Sequence, residues 1–120
     1  MDIPKPTDAD KDYFRSLVPD DDRIEVKPMF GNIAGFVNGN MFMGLFGQHV
    51  GVRLSEDDRE ELRAIDGTGD FGPAGRPMKE YVALPEAWRM HPEASEPWIH
   101  RALAHIAAMP PKVKKPKKKK

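Results

Sequence analysis

Cysteine is absent from the 120 residues, which excludes disulfides, thiolate nucleophiles and cysteine-ligated metal, and suits a reducing compartment. Serine is scarce: Ser16, Ser55 and Ser95 are the only three. None lies in a G-x-S-x-G nucleophile elbow, and Ser55 and Ser95 stand where helix caps belong. Long apolar runs are also missing. The longest stretch, Met41 to Phe46, is far short of the roughly 20 residues of a membrane-spanning helix. The start of the chain, with Asp2, Pro4, Pro6 and Asp8, lacks the apolar segment of a secretory signal. A soluble, cytoplasmic protein is the expectation.

What is present is ordinary in proportion and uneven in placement. With 39% hydrophobic and 32% charged residues, the chain has enough apolar material for one domain. Its formal charge of zero conceals a division. Residues 110–120 hold seven of the 19 basic groups and no acid, leaving 12 basic against 19 acidic groups in residues 1–109, a net of −7. An acidic body carries a basic string.

Thr7 or Asp8 is placed to cap a first helix, with Asp10 in its opening turn. Tyr13, Phe14, Leu17 and Val18 then share a face, and Pro19 ends the run. Ile24 and Val26 alternate with Glu25 and Lys27 as a strand, and Pro28, unable to donate to a ladder, marks it as an edge or bulge. Ile33 to Val37 and Met41 to Phe46 flank Asn38-Gly39, a strong hairpin signal. Gly47-Gln48 offers another tight turn before the alternation of Val50, Val52 and Leu54, so that residues 24–54 read as a four-stranded antiparallel meander. Ser55 opens an acidic helix with Leu62 and Ile65 on its buried side, and Gly67 suits its end. A glycine- and proline-rich loop follows, with a short strand around Phe71 and another at Tyr81 to Leu84. Pro85 begins a helical turn, and Trp98, Ile99, Ala102, Leu103 and Ile106 form the apolar stripe of a last helix stopped by Pro110-Pro111. The fold class expected is α+β: a two-layer sandwich, an antiparallel meander against helices, in the order α-β-β-β-β-α-β-β-α. The domain spans residues 1–110, and residues 111–120 form a disordered lysine-rich tail.

Strict alternation puts Met41, Met43 and Leu45 on one face of their strand and Phe42 and Phe46 on the other. Helices cover one face of a two-layer sheet, so Met41, Phe42 and Met43 are candidates either for a curled core strand or for a homodimer contact.

Motifs that carry chemistry are few. Gly67, Gly69 and Gly72 spell G-x-G-x-x-G, but they follow a helix instead of a strand and lead into Pro73, so they read as a loop. His49, His91, His100 and His105 show no metal-ligand spacing. Asp57, Asp58, Glu60 and Glu61 read as a solvated helix face. No catalytic, cofactor or metal residue is assigned, no cofactor is called, and an enzyme is not expected. The tail lysines, Lys112, Lys114, Lys115, Lys117, Lys118, Lys119 and Lys120, suit nonspecific contact with phosphate backbones through counterion release. A solubilising tail and a loose partner for the acidic body are the competing readings. Arg76, held between Gly75 and Pro77, suits an anionic partner or an internal acid.

Lys27-Pro-Met-Phe-Gly31, Gly39-Asn-Met-Phe42, Val52-Arg-Leu54, Gly75-Arg-Pro-Met78, Tyr81, Leu84-Pro85 and the Trp98 helix ending Met109-Pro-Pro-Lys112 together resemble the TfoX N-terminal domain family, over about residues 8 to 112. The resemblance implies a two-layer α+β sandwich. It also implies kinship with bacterial regulators of competence genes, which act with a protein partner of the transcription machinery. Those regulators add a separate C-terminal domain where this sequence ends in lysines, so the domain carries over and the activity does not. The function expected is a non-enzymatic regulatory or interaction module that docks on a protein partner, with a nucleic-acid-associated accessory protein as the alternative. Incubation with zinc is predicted to leave the melting temperature unchanged; a rise that chelator reverses contradicts the reading of the histidines.

Overall fold

Thr7 opens the first helix with a capping box. Its hydroxyl accepts from the Asp10 N–H at 3.0 Å, while its own N–H donates to the Asp10 carboxylate at 2.9 Å, satisfying two backbone donors at the helix start. The computed structural model describes residues 5–29, 31–72, 75 and 77–110. Helix α1 (Asp8–Leu17) buries Phe14 and Leu17, and Val18 is its C-cap. Four strands follow without interruption: β1 (Ile24–Met29), β2 (Asn32–Val37), β3 (Asn40–Phe46) and β4 (His49–Arg53). Helix α2 (Glu56–Arg63), strand β5 (Tyr81–Ala83), a 3-10 helix (Glu86–Met90) and helix α3 (Pro92–Ala107) complete the order.

The sheet is a five-stranded antiparallel meander in the order β1-β2-β3-β4-β5, as the α+β reading predicts. Asn38 and Gly39 both take positive φ, 54° and 78°, the signature of a type I′ hairpin. At the next turn Gly47 has φ 64°. Asn32 fixes that turn from across the sheet, its carboxamide oxygen accepting from the Gly47 N–H at 2.9 Å. The strand expected around Phe71 is reduced to a single bridge, Gly69 with Ala83. Helix α2 ends at Arg63, and Gly67 takes φ 95° in the turn beyond it.

Helices α1 and α3 lie on one face of the sheet. Between the layers sits the main core, including Phe14, Phe42, Met43, Val52, Leu54, Leu62, Ile99 and Ile106; each large side chain so buried contributes about 1.5–3 kcal/mol. The expected α3 stripe is in place, with Trp98, Ile99, Ala102, Leu103 and Ile106 all buried. The guanidinium of Arg101 stacks 4.4 Å from the Trp98 ring centroid. It also donates to Asp58 and Glu61 of α2 at 3.3 and 3.0 Å, tying the two helices together.

One strand departs from strict alternation. Gly35 pairs with Met43 and Phe36 with Met41, so Phe42 is an extra residue, a β-bulge in β3. The bulge turns Phe42 into the main core beside Met43 and Leu45, and sends Met41 to the opposite face with Phe46. That opposite face is closed by the chain itself. Phe71 packs on it with Tyr81 and Ala83, flanked by Met41, Phe46 and Met78. Its ring stacks on Tyr81 at 5.6 Å and meets Phe46 edge-on at 6.2 Å. Gly44 and Gly51 are directly paired, as are Gly51 and Ala83, leaving a row of small residues beneath the ring. A Cβ on Gly51 would lie 2.4 Å from Phe71 ring atoms. At Gly44 the near atom is the Cε of Met41, also 2.4 Å away, the mobile end of a flexible side chain.

The packing predicts that Gly51→Ala costs about 1–3 kcal/mol by overpacking, and Gly44→Ala less. Phe71→Ala costs about 3 kcal/mol or more. In the double variant Gly51→Ala with Phe71→Ala the losses are less than additive, because the ring that the new methyl strikes is gone. Urea denaturation of the four variants measures this, and strict additivity contradicts it.

Candidate functional site

Ionisable side chains gather where the 3-10 helix meets α1 and the β3–β4 turn. A cavity of about 120 Å³ there is lined by Tyr13, Gln48, His49, Val50, Leu84, Pro85, Glu86 and Arg89. Pro85, whose fixed φ suits the entry to a helical turn, starts the segment that carries Glu86 and Arg89. Arg89 donates to Asp10 at 2.7 Å and lies 4.8 Å from the Tyr13 ring centroid. The Tyr13 hydroxyl donates to the Trp88 carbonyl at 3.4 Å. Glu86 accepts from the Gln48 amide at 3.0 Å and has the His49 Nδ1 at 3.6 Å.

Each of these groups is occupied by a neighbour. The Asp10 carboxyl is held below its ordinary 3.8, first by the Thr7 backbone N–H and then by Arg89 and the Thr7 hydroxyl, against the opposing effect of burial. Burial raises the Tyr13 phenol. The Ser95 hydroxyl, fully buried, lies beside that phenol and opposes the rise. On the far face of the sheet burial pushes Tyr81 up to about 12, where its hydroxyl and the Arg53 guanidinium both donate to the Met41 carbonyl at 3.3 Å. Neither arrangement sets a nucleophile against a free base. What the cleft does is lock α1, the β3–β4 turn and the 3-10 helix to one another.

Arg76 and Lys112, Lys114, Lys115, Lys117, Lys118, Lys119 and Lys120 lie outside the described residues. The bulge reverses the faces that strict alternation gave Met41 and Phe42 and leaves Met43 with Leu45. Of these dimer-contact candidates, Phe42 and Met43 are fully buried in the main core, and Met41 is partly buried against the second core. His91 stands 3.6 Å from Glu93. Among the described residues no three His, Asp or Glu side chains come together as a metal site, and no helix is long and apolar enough to cross a membrane. The 67–72 glycines form a loop, with Gly67 at φ 95° and Gly72 at φ 113°.

The TfoX N-terminal domain model matches residues 12–106, from the middle of α1 to the end of α3. The chain belongs to the TfoX N-terminal domain family. Among curated proteins none matches it. For this TfoX N-terminal domain the matched span contains the whole sheet, Phe71 with its recess, and the Tyr13–Arg89 contact. The Asp10 and Arg89 pairing was not apparent from sequence, since 79 positions separate the two; the only local signal was an acid three residues after Thr7.

Asp10→Asn is predicted to cost about 1–2 kcal/mol at neutral pH, as for loss of a cap and its ion pair. Because the folded pKa is depressed, the contribution is complete well above 3.8 and fades as pH falls through the folded value. Chemical denaturation of both proteins from pH 7 down to pH 2.5 checks this, and a gap constant across that range contradicts it.

Proposed function

We propose that this TfoX N-terminal domain is a non-enzymatic interaction module of bacterial regulation that works by docking on a protein partner. The observation that carries the reading is family membership across residues 12–106, a family that includes competence regulators. It is supported by the use made of the convergent polar groups. Asp10, Glu86, Arg89 and Tyr13 are spent on holding helices and turns in place, which leaves surface shape and charge as the means of recognition. Dimerisation through β3 is not part of the reading, since Phe42 and Met43 are interior.

A second reading rests on composition. The seven lysines of residues 110–120 suit a nucleic-acid-associated accessory protein that binds phosphate backbones without sequence preference. Affinity capture on the tagged full chain, with and without nuclease, separates the two. The docking reading predicts a protein that persists after nuclease and rebinds as a purified pair. Loss of all captured protein on nuclease treatment overturns it in favour of the second.

A further inference from the structure

We propose that the free edge of β1, with the groove between it and α1, takes up an extended acidic segment of a protein partner as an added strand. The proposal rests on the docking reading above and gives that partner a surface and a chemistry.

The sheet has two edges, and they are treated differently. On the outer side of β5, Gly69 exchanges two backbone hydrogen bonds with Ala83, at 3.3 and 2.8 Å, and Arg63 donates to the Tyr81 carbonyl at 3.4 Å. Strand β1, at the other end of the order, has no strand beyond it among the described residues. Its backbone parity can be fixed from two positions. Pro28 pairs with Ile33 inside the ladder yet has no N–H, so residue 28 faces away from β2. The Ile24 N–H donates to Asp21 at 3.0 Å and is turned outward in the same way. With a period of two, Val26 between them presents both its N–H and its carbonyl to solvent. Its side chain is 37% exposed, one of two exposed large hydrophobic residues among those described.

Beside this edge lies a groove of about 380 Å³. Its floor is apolar, formed by Val26, Pro28 and Ile33, and its ionisable lining is entirely basic: Lys11 and Arg15 from α1 and Lys27 from β1. Arg15 makes a long, exposed ion pair, 3.9 Å to Asp12, and the Lys27 ammonium, 3.6 Å from Glu25, lies 5.0 Å over the Phe36 ring. Such pairs contribute little and exchange readily for a better partner. A basic groove stands out on a body with net charge −7, and it selects an acidic occupant. The open backbone donor and acceptor at Val26 and the apolar floor select a polypeptide over a phosphate backbone. A second copy of the chain is disfavoured, because antiparallel pairing of two β1 edges brings two sets of Lys11 and Arg15 to the same side of the joined sheet.

The test selects binders to the immobilised full chain from a library of random heptapeptides, then measures the synthesised winners by titration and amide NMR. Peptides alternating apolar with acidic residues are expected, with shifts concentrated at Val26 and Lys27. Val26→Pro, which removes the outward N–H without breaking a ladder bond to β2, is expected to weaken them about tenfold or more, as for a lost strand-addition bond. Lys11→Glu with Arg15→Glu, which leaves the strand intact, is expected to weaken them about tenfold by charge reversal. Selection of no peptide overturns the proposal. So do acidic peptides indifferent to both variants, which then sit on the lysine-rich terminus, and so does an oligonucleotide that occupies the groove and displaces the peptides. A captured protein that still binds Val26→Pro and the charge-reversed chain leaves the docking reading standing and moves its site elsewhere.

Discussion

The ring of Phe71 lying in the recess of Gly44, Gly51 and Ala83 is the contact on which the rest of the architecture depends. A sheet covered by helices on one side leaves the other side to water, and this sheet carries Met41, Phe46 and Tyr81 there. A second layer of helices or a partner chain is one solution. Here a single aromatic from a loop does the work, and it does so because two paired glycines let it approach the backbone. Without side chains at positions 44 and 51 the ring reaches the pleat itself, and Tyr81 and Phe46 hold it from the sides by stacked and edge-on contact. Such pairs add about 0.5–1.5 kcal/mol beyond area burial. The loop is anchored at both ends of this contact. Gly69 bridges to Ala83 before the ring, and the Met78 N–H donates to the Phe71 carbonyl at 2.8 Å after it.

Helices cover one face of the sheet, Phe71 covers the β3–β5 part of the other, the β5 edge is bridged, and the β1 edge is open among the described residues. The ionisable groups obey the same economy. Asp10 and Arg89 join α1 to the 3-10 helix, Arg101 joins α3 to α2, and Arg53 with Tyr81 caps the Met41 carbonyl. Lys11, Arg15 and Lys27 line the groove beside the β1 edge.

Much of this was legible in the residues, for identifiable reasons. Asn38-Gly39 announced a type I′ hairpin because few other pairs tolerate two positive φ angles. Pro28 pointed to an edge or a bulge because it has no proton to donate, and β1 is the edge; the spacing of Trp98, Ile99, Ala102, Leu103 and Ile106 announced the buried face of α3. What stayed hidden depended on distance or on one extra residue. Phe42 was assigned to the wrong face because a bulge breaks the period of two and leaves no local mark in the sequence. Phe71 sits in a stretch whose glycines and prolines spell loop, and nothing local says that this loop returns to Gly51, 20 positions earlier. The basic groove had a faint signal, Lys11 and Arg15 four apart on α1, but its third member, Lys27, comes from another element.

The central claim, that Phe71 closes the far face of the sheet by lying on Gly51, is tested most directly by proton NMR of the full chain. Gly51 and Gly44 Hα protons beneath an aromatic ring are displaced upfield and show cross-relaxation to the Phe71 ring protons, which is the result this account predicts. Gly51 Hα resonances at unperturbed strand positions, with no cross-peak to Phe71, would contradict it.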